Sequence, residues 1–315
     1  MRENRGMNEI IVLILNYNSC GLTTKCVNKL LDISENLKIL VVDNCSTDSS
    51  YEKLSACFLK DSQRVEIIKT DVNLGYANGN NFGMKHIKKQ YKNAKYVLIM
   101  NPDVIVSEVK TIIGLQEFLE KNEKYAIVSC QILFNDMWRG FLDYGWKFPS
   151  NKNLLWTGTF LGKLFIKDVN DKYSEVEIMG DDFSTKVDVV SGCFFMARLS
   201  DLEKVGYMDE RTFLYYEETI LAKRLRTIGK GEAILLNHFV YHNHQEKDTS
   251  IGNFKRRLFD RKCFYDSKMI YIKYYSQLSK TKKLICEVVN SIDSNLKKLV
   301  YGMAASIQSG GKNEC

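Results

Sequence analysis

The chain has 315 residues, 45% of them hydrophobic and 26% charged, a mix that belongs to soluble globular proteins and excludes a disordered or fibrous one. Nine cysteines, an odd number without a CxxC pair, argue against a disulfide framework or a structural zinc site and favour a reducing cytosol. The formal charge of +7 is local: Gly252 to Val300 holds twelve Lys and Arg against four acids, which excludes a protein-wide nucleic-acid surface and points to one basic element.

The opening MRENRGM lacks the apolar stretch of a signal peptide, and IIVLIL at 10–15 is far below spanning length, so no segment is expected to cross a bilayer. EIIVLILNYN reads as a buried strand, a short β-branched run closed by polar residues. Residues 21–34 repeat Leu22, Cys26, Leu30 and Ile33 at helical spacing. LKILVVDN, VEIIKT and KYVLIMNPDV read as a second, third and fourth buried strand, with helical patterns between them. Continuous apolar strands alternating with helices predict an α/β fold with a parallel sheet covered on both faces.

Roughly 131–186 is aromatic and loop-rich and reads as insertions over the sheet. KVDVVSGCFFMARLS is a further β-branched run, and EETILAKRLRTIG is a helix ended by Gly229. From Phe254 to Val300 the chain reads as mostly helical and separate. The expected organisation is one domain over 1–250 followed by a basic helical extension over 251–315.

Ligands of open α/β sheets sit beyond the carboxyl ends of the strands. Strand one ends in Asn16-Tyr17-Asn18, strand two in Asp43-Asn44-Cys45-Ser46-Thr47-Asp48, and strand four in Asn101-Pro102-Asp103. Singly such residues make turns and caps, which for Asp48 is as good a reading as a ligand role; three such endings in one sheet point to a site. Neither GxGxxG nor GxxxxGK[ST] follows the first strand. A strand-end carboxylate can instead accept from a nucleobase N–H, and another can share a divalent ion with a diphosphate.

ILNYN, VVDNCSTD, NLGYANGNNFGM, MNPDV and GYMDERTFLYYEETILAKRL, in that order and spacing, resemble the rhamnosyltransferase-like members of glycosyltransferase family 2 over roughly residues 9–245. The resemblance implies a GT-A fold, mostly parallel and flanked by helices. It implies an inverting, metal-dependent enzyme of polysaccharide biosynthesis that moves a sugar, rhamnose in this subgroup, from a dTDP- or UDP-sugar to a cell-surface or lipid-linked glycan. Asp43 would then contact the base, and Asp103 would end the equivalent of the DxD motif and hold Mg²⁺ or Mn²⁺ against the diphosphate. Further contacts to the nucleotide sugar would fall to Asn16, Tyr17, Asn18, Asn44, Ser46, Asp48, Gly75, Asn80, Asn101 and Gly192. Glu218 would be the general base facing the acceptor, with Glu217 the fallback, and His242 matches a metal-binding histidine of some relatives.

Each assignment has a plainer counterpart. Asn101 also reads as a turn residue before Pro102. Gly75, Gly79 and Gly83 share a helix face and suit close packing on the sheet as well as a ligand; the family pattern usually has Gly where this chain has Asn78. The acids of DERTFLYYEE suit a helix start, and His242 with His244 reads alone as a hydrogen-bonded surface pair. A nucleotide-sugar binder that regulates or scaffolds without catalysis is the alternative function, and a nucleotidyltransferase is disfavoured by the missing lysine-bearing phosphate loop. The basic tail reads either as an amphipathic helix on the anionic inner face of the cell membrane or as a helix packed on the core with its basic face in water. The catalytic motifs set aside a nucleic-acid partner.

Overall fold

The computed structural model describes residues 9–134, 144–160, 162, 173, 177–179, 183–242 and 254–310, without the side chains of Phe254, Lys255 and residues 300–310. The chain divides into two compact units. The first comprises Met1–Lys147, Lys172–Phe213 and Glu217–Gln245, and the second Phe148–Asp171, Leu214–Tyr216 and Glu246–Cys315.

In the first unit, β1 (Ile10–Asn16), α1 (Cys20–Ile33), β2 (Lys38–Asp43), α2 (Ser50–Cys57), β3 (Val65–Lys69), α3 (Tyr76–Gln90) and β4 (Tyr96–Met100) alternate as the hydrophobic pattern predicts. Then come β5 (Val104–Ile105), α4 (Val109–Lys121), β6 (Tyr125–Phe134) and β7 (Gly145–Trp146). After α5 (Asn151–Trp156) of the second unit follow β8 (Ser184–Val187), β9 (Val189–Val190), β10 (Phe194–Arg198), α6 (Leu199–Lys204), α7 (Glu217–Thr227) and β11 (Gly231–His242).

Among the described residues nine strands form one sheet in the order β3-β2-β1-β4-β10-β6-β11-β5, with β8 also on β11. β3, β2, β1 and β4 run parallel, as do β6 and β11, whereas β10 is antiparallel to both its neighbours. β1, β2 and β4 are buried along nearly their whole length, as parallel strands covered on both faces must be. Their register sets Asn16 opposite Asp43 and Ile14 opposite Met100. Three polar strand ends thereby open on one edge.

Two details differ from the expected pattern. α1 buries Thr23, Cys26, Val27 and Leu30, leaving Leu22 and Ile33 half-buried, because the Thr23 hydroxyl turns inward to donate to Asn16 Oδ1 at 2.6 Å. The run from Lys186 to Ser200 breaks into β8, β9 and β10, separated at Asp188 and at Ser191-Gly192-Cys193. Of the loop-rich stretch, Gln131–Phe134 extend β6 and Ser184–Lys186 belong to β8, paired with β11; 135–143 and most of 161–182 lie outside the described residues, as does His244.

β11 carries an irregularity. Leu235 pairs with Cys130 and Phe239 with Gln131, so four steps along β11 answer one along β6. Beyond it His242 lies opposite Val104 of β5.

In the second unit α8 (Phe254–Tyr274) and α9 (Lys280–Gly310) follow α5. Lys268 donates to the Thr157 carbonyl at 2.8 Å and to Asn290 Oδ1 at 3.1 Å. Tyr265 donates to the Gly158 carbonyl at 2.6 Å and to Asp293, which Lys297 also pairs. No helix among the described residues is long and apolar enough to cross a membrane. The eight cysteines among them are free.

Candidate active site

Asn16, at the last position of β1, is fully buried and donates through Nδ2 to Asp43 Oδ2 at 2.8 Å and to Ser46 Oγ at 3.2 Å. Asp43 is likewise fully buried, and its Oδ1 accepts from the Ser46 amide at 2.9 Å. A buried carboxylate needs such donors to remain satisfied. Asp43 thus ties the β1 and β2 loops together, and the polar groups left toward solvent are those of Tyr17, Asn18, Ser46 and Thr47. Asn18 reaches the same knot, its amide donating to Ser46 Oγ at 2.9 Å and its Oδ1 accepting from the Thr47 amide at 2.8 Å. Asn18 and Cys45 adopt left-handed backbone, with φ of 49° and 59°, so the loops are held in a costly conformation by the bonds around them.

Asp48 lies farther out. Its carboxylate accepts from the Ser50 amide and hydroxyl at the start of α2, and the hydroxyl bond, the largest influence, lowers its pKa. Tyr17 stands half exposed, with its carbonyl accepting from the Ser19 hydroxyl.

Asn44 bridges to the third motif, donating to Asn73 Oδ1 at 3.0 Å and to the Gly75 carbonyl at 3.2 Å. Gly75 has φ of 94°, and a Cβ there would lie 2.2 Å from the Phe213 carbonyl oxygen; only glycine satisfies both constraints. Gly79 and Gly83 seat α3 on the sheet, against Leu15 for the first and Leu13 and Val42 for the second. Asn78, where the family pattern has glycine, donates to the carbonyls of Leu74 and Glu210. Asn80 is buried and donates to the Tyr76 carbonyl.

At the end of β4 the Asn101 amide donates to the Cys193 carbonyl at 2.8 Å. Pairing of β5 with β11 brings His242 Nε2 to 3.1 Å from Asp103 Oδ2. Burial acts against charge on His242, but Asp103 and Cys193 beside it outweigh burial and raise its pKa to about 10. A carboxylate oxygen from the β4–β5 turn and an imidazole nitrogen from the end of β11 suit a divalent ion that replaces the shared proton and takes its other ligands from phosphate and water. Among the described residues no group of three His, Cys, Asp or Glu could hold a metal unaided.

The acidic pair opens α7, where carboxylates meet the positive end of the helix. Glu217 is buried and Glu218 half-buried. Gly192 lets Glu218 in: a Cβ on that glycine would lie 2.2 Å from Glu218 Oε1. Burial raises the Glu218 pKa, against the opposing pull of the Glu218 and Gly192 amides. The Tyr76 hydroxyl donates to the Gly192 carbonyl at 2.7 Å and is itself held protonated by burial and by the nearby Glu218 and Glu217. Beneath them Glu232, buried on β11, accepts from the Val190 amide at 2.7 Å. Burial, with Glu218 and Asp188 adding to it, raises its pKa to about 8.

Hydrogen bonds and contacts therefore join Asn16, Asn18, Asp43, Asn44, Ser46 and Gly75, and a second set joins Gly192, Glu218 and Tyr76. Asp103 and His242 form a third set, linked to the second through Asn101 and the Gly192–Cys193 turn. Tyr76 and Glu232 had no signal as site residues in the sequence beyond the glycine-rich motif that carries the tyrosine.

The profile of Glycosyl transferase family 2 matches residues 11–206, more than half of the chain. The Low-salt glycan biosynthesis hexosyltransferase Agl10 of Haloferax volcanii is 26% identical over 221 residues, 70% of this chain and 62% of that one. Rhamnosyltransferase WbbL of Escherichia coli K12 is 28% identical over 158 residues, 49% of this chain and 55% of that one. The chain thus spans less than two thirds of either relative. A mannosyltransferase, PcManGT from Pyrobaculum calidifontis in complex with GDP-Man and Mn²⁺, superposes with a TM-score of 0.55 at 12% identity, covering 98% of this chain and 76% of that one. That likeness is one of fold, the mostly parallel sheet flanked by helices of the GT-A type. With the matched span running from β1 through α6, and the strand-end motifs gathered at one edge of the sheet, the chain belongs to glycosyl transferase family 2.

Proposed function

We propose that the protein is an inverting glycosyltransferase that moves a sugar from a nucleoside-diphosphate donor to a glycan acceptor, with Glu218 as general base. The observation that carries this is the placement of Glu218 at the start of α7, against the Gly192 backbone and with a pKa raised by burial. In direct displacement the acceptor oxygen bonds to the anomeric carbon as the bond from that carbon to the diphosphate oxygen breaks, and the diphosphate leaves with the electron pair. The acceptor hydroxyl must give up its proton in that step, and a carboxylate whose pKa is shifted toward neutrality takes it more readily. Glu218 is the more accessible acid of the pair, since Glu217 is only 3% exposed.

Asn16, Asp43, Asn44 and Ser46 brace the loops at the nucleotide end, and Tyr17 and Asn18 present polar groups there. Asp103 and His242 are the residues suited to Mg²⁺ or Mn²⁺, which when bound neutralises charge on the departing diphosphate. Rhamnose from a dTDP-sugar is the donor reading supported by the resemblance to the named rhamnosyltransferase, with a UDP-sugar the other donor. The hexosyltransferase of glycan biosynthesis supports a cell-surface or lipid-linked glycan as acceptor. A lipid-linked acceptor would be met at the cytoplasmic face of the cell membrane.

Glu218→Gln tests the assignment, since it keeps shape and removes basicity. Donor binding by calorimetry should persist while transfer to a glycan acceptor falls by about 10²–10⁴. Loss in Glu217→Gln with Glu218→Gln near wild type would move the base one residue back. Wild-type protein that binds donors yet transfers to no glycan acceptor would make it a binder without catalysis.

A further inference from the structure

Helix α9 buries its polar side and exposes its apolar one. Cys286, Asn290, Asp293 and Lys297, spaced four, three and four apart, turn inward and are at most 7% exposed. Leu284, Ile285, Val288, Ile292, Leu296 and Leu299 turn outward and are 47–63% exposed. A surface helix of a protein in water has the opposite arrangement. The inward set is bonded in place: Asn290 to Lys268, and Asp293 to Tyr265 and Lys297. Rolling the helix to hide its leucines would break the bonds of Asn290 and Asp293 to α8, so the unit is built with the stripe outside. At about 1.5 Å per residue the stripe runs for about 22 Å, a continuous apolar ridge of the kind that marks an interaction surface.

Its surroundings are basic. Lys280, Lys282 and Lys298 of α9 and Arg256, Arg257, Lys262 and Lys273 of α8 are exposed. Between the two helices lies a cavity of about 310 Å³, lined by Arg261, Lys262 and Lys298 with Ser294, Leu258 and Phe259 among others. Cations and a hydroxyl beside apolar side chains match the chemistry of a phosphate headgroup joined to acyl chains.

We propose that α9 lies in the interfacial plane of an anionic membrane, with the Leu284–Leu299 stripe among the acyl chains and the lysines and arginines of α8 and α9 on the phosphates. A second copy of the chain fits the stripe less well, because pairing two such faces sets two segments of like charge, each with twelve cations against four acids, against each other. The inference is independent of the glycosyl-transfer reading.

The test is flotation of the full chain with equal-parts phosphatidylcholine–phosphatidylglycerol vesicles and with pure phosphatidylcholine vesicles. The wild-type protein should float with the mixed vesicles only, and added salt should release it. Val288→Ser with Ile292→Ser should lower partition at least about tenfold without shifting the melting midpoint. Lys280→Gln with Lys282→Gln and Lys298→Gln should weaken it in the same direction, and it decides the matter if the serine variant is unstable. The proposal is overturned if wild-type protein fails to float with the mixed vesicles, floats equally with the neutral ones, or is unaffected by the lysine substitutions. It is also overturned if sedimentation shows a wild-type dimer that the serine substitutions dissociate, which would make the stripe a contact between copies.

Discussion

Glu232 accepts from the Val190 amide while almost fully buried, and burial raises its pKa from 4.5 to about 8. Below the lower value the group is protonated folded or unfolded, and its full contribution is present. Between the two values the unfolded chain releases the proton that the folded chain keeps, so stability falls as pH rises, by at most about 1.4 kcal/mol per pH unit. Glu232→Gln keeps an acceptor for Val190 and cannot ionise. Its melting midpoint should change less than that of wild type across this window and exceed it at the alkaline end; parallel slopes in melts over a pH series would contradict this. Neither Glu232 nor the Tyr76 hydroxyl could be picked out from the sequence, because Val190 and Gly192 become their partners only through pairing across 42 and 116 positions. Asp43 and Asp103 stood out as candidates because they lie at or just beyond strand ends, and Glu217 and Glu218 through the family resemblance.

α3 and α1 show how glycine serves two helices in opposite ways. A Cβ on Gly83 would lie 2.5 Å from Leu13 Cδ1 and 2.9 Å from Val42 Cγ2, in the middle of the sheet, whereas nothing lies within 4 Å of one on Gly21 in α1. Overpacking a core costs about 1–3 kcal/mol, and alanine in a helix gains up to about 1 kcal/mol over glycine. Urea unfolding should therefore show Gly83→Ala destabilised by about 1–2 kcal/mol and Gly21→Ala stabilised by a few tenths or more. Equal shifts in both would remove the packing role. Strands β1 to β4 and helix α7 could be read in advance because their periodicity is local. The inner face of α1 keeps Cys26 and Leu30 of the expected set and adds Thr23, turned inward by its hydrogen bond to Asn16, and β8 gave no sign of its place because its partner β11 lies nearly fifty residues on.

Across the whole molecule, the proposed donor and metal would be linked to the fold by mass action. A ligand at about a hundred times its dissociation constant stabilises the folded state by about 2.7 kcal/mol, which for a chain of this size is a rise of several degrees in the melting midpoint. A dTDP- or UDP-sugar with Mn²⁺ should produce that rise, chelation should remove most of it, and Asp103→Asn should lose the metal-dependent part. A midpoint unmoved by every donor would count against nucleotide-sugar binding. At this scale the sequence conveyed less. It marks the tail as basic and helical, but the second unit also takes in Phe148–Asp171 and Leu214–Tyr216. Charge runs and periodicity record what a segment is made of, and the partnership of Gly158 with Lys297 across 139 positions leaves no mark in either.

The irregularity in β11 also constrains how this strand can change length in descent. Side chains alternate between faces along a paired strand, but Leu236, Asn237 and His238 stand between two paired positions with no register partner on β6. Beyond them, pairing of Tyr241 with Ile105 and of His242 with Val104 sets the faces independently of that segment. A residue gained or lost there can be taken up by the irregularity, whereas one gained or lost between Phe239 and His242 would turn the imidazole away from Asp103.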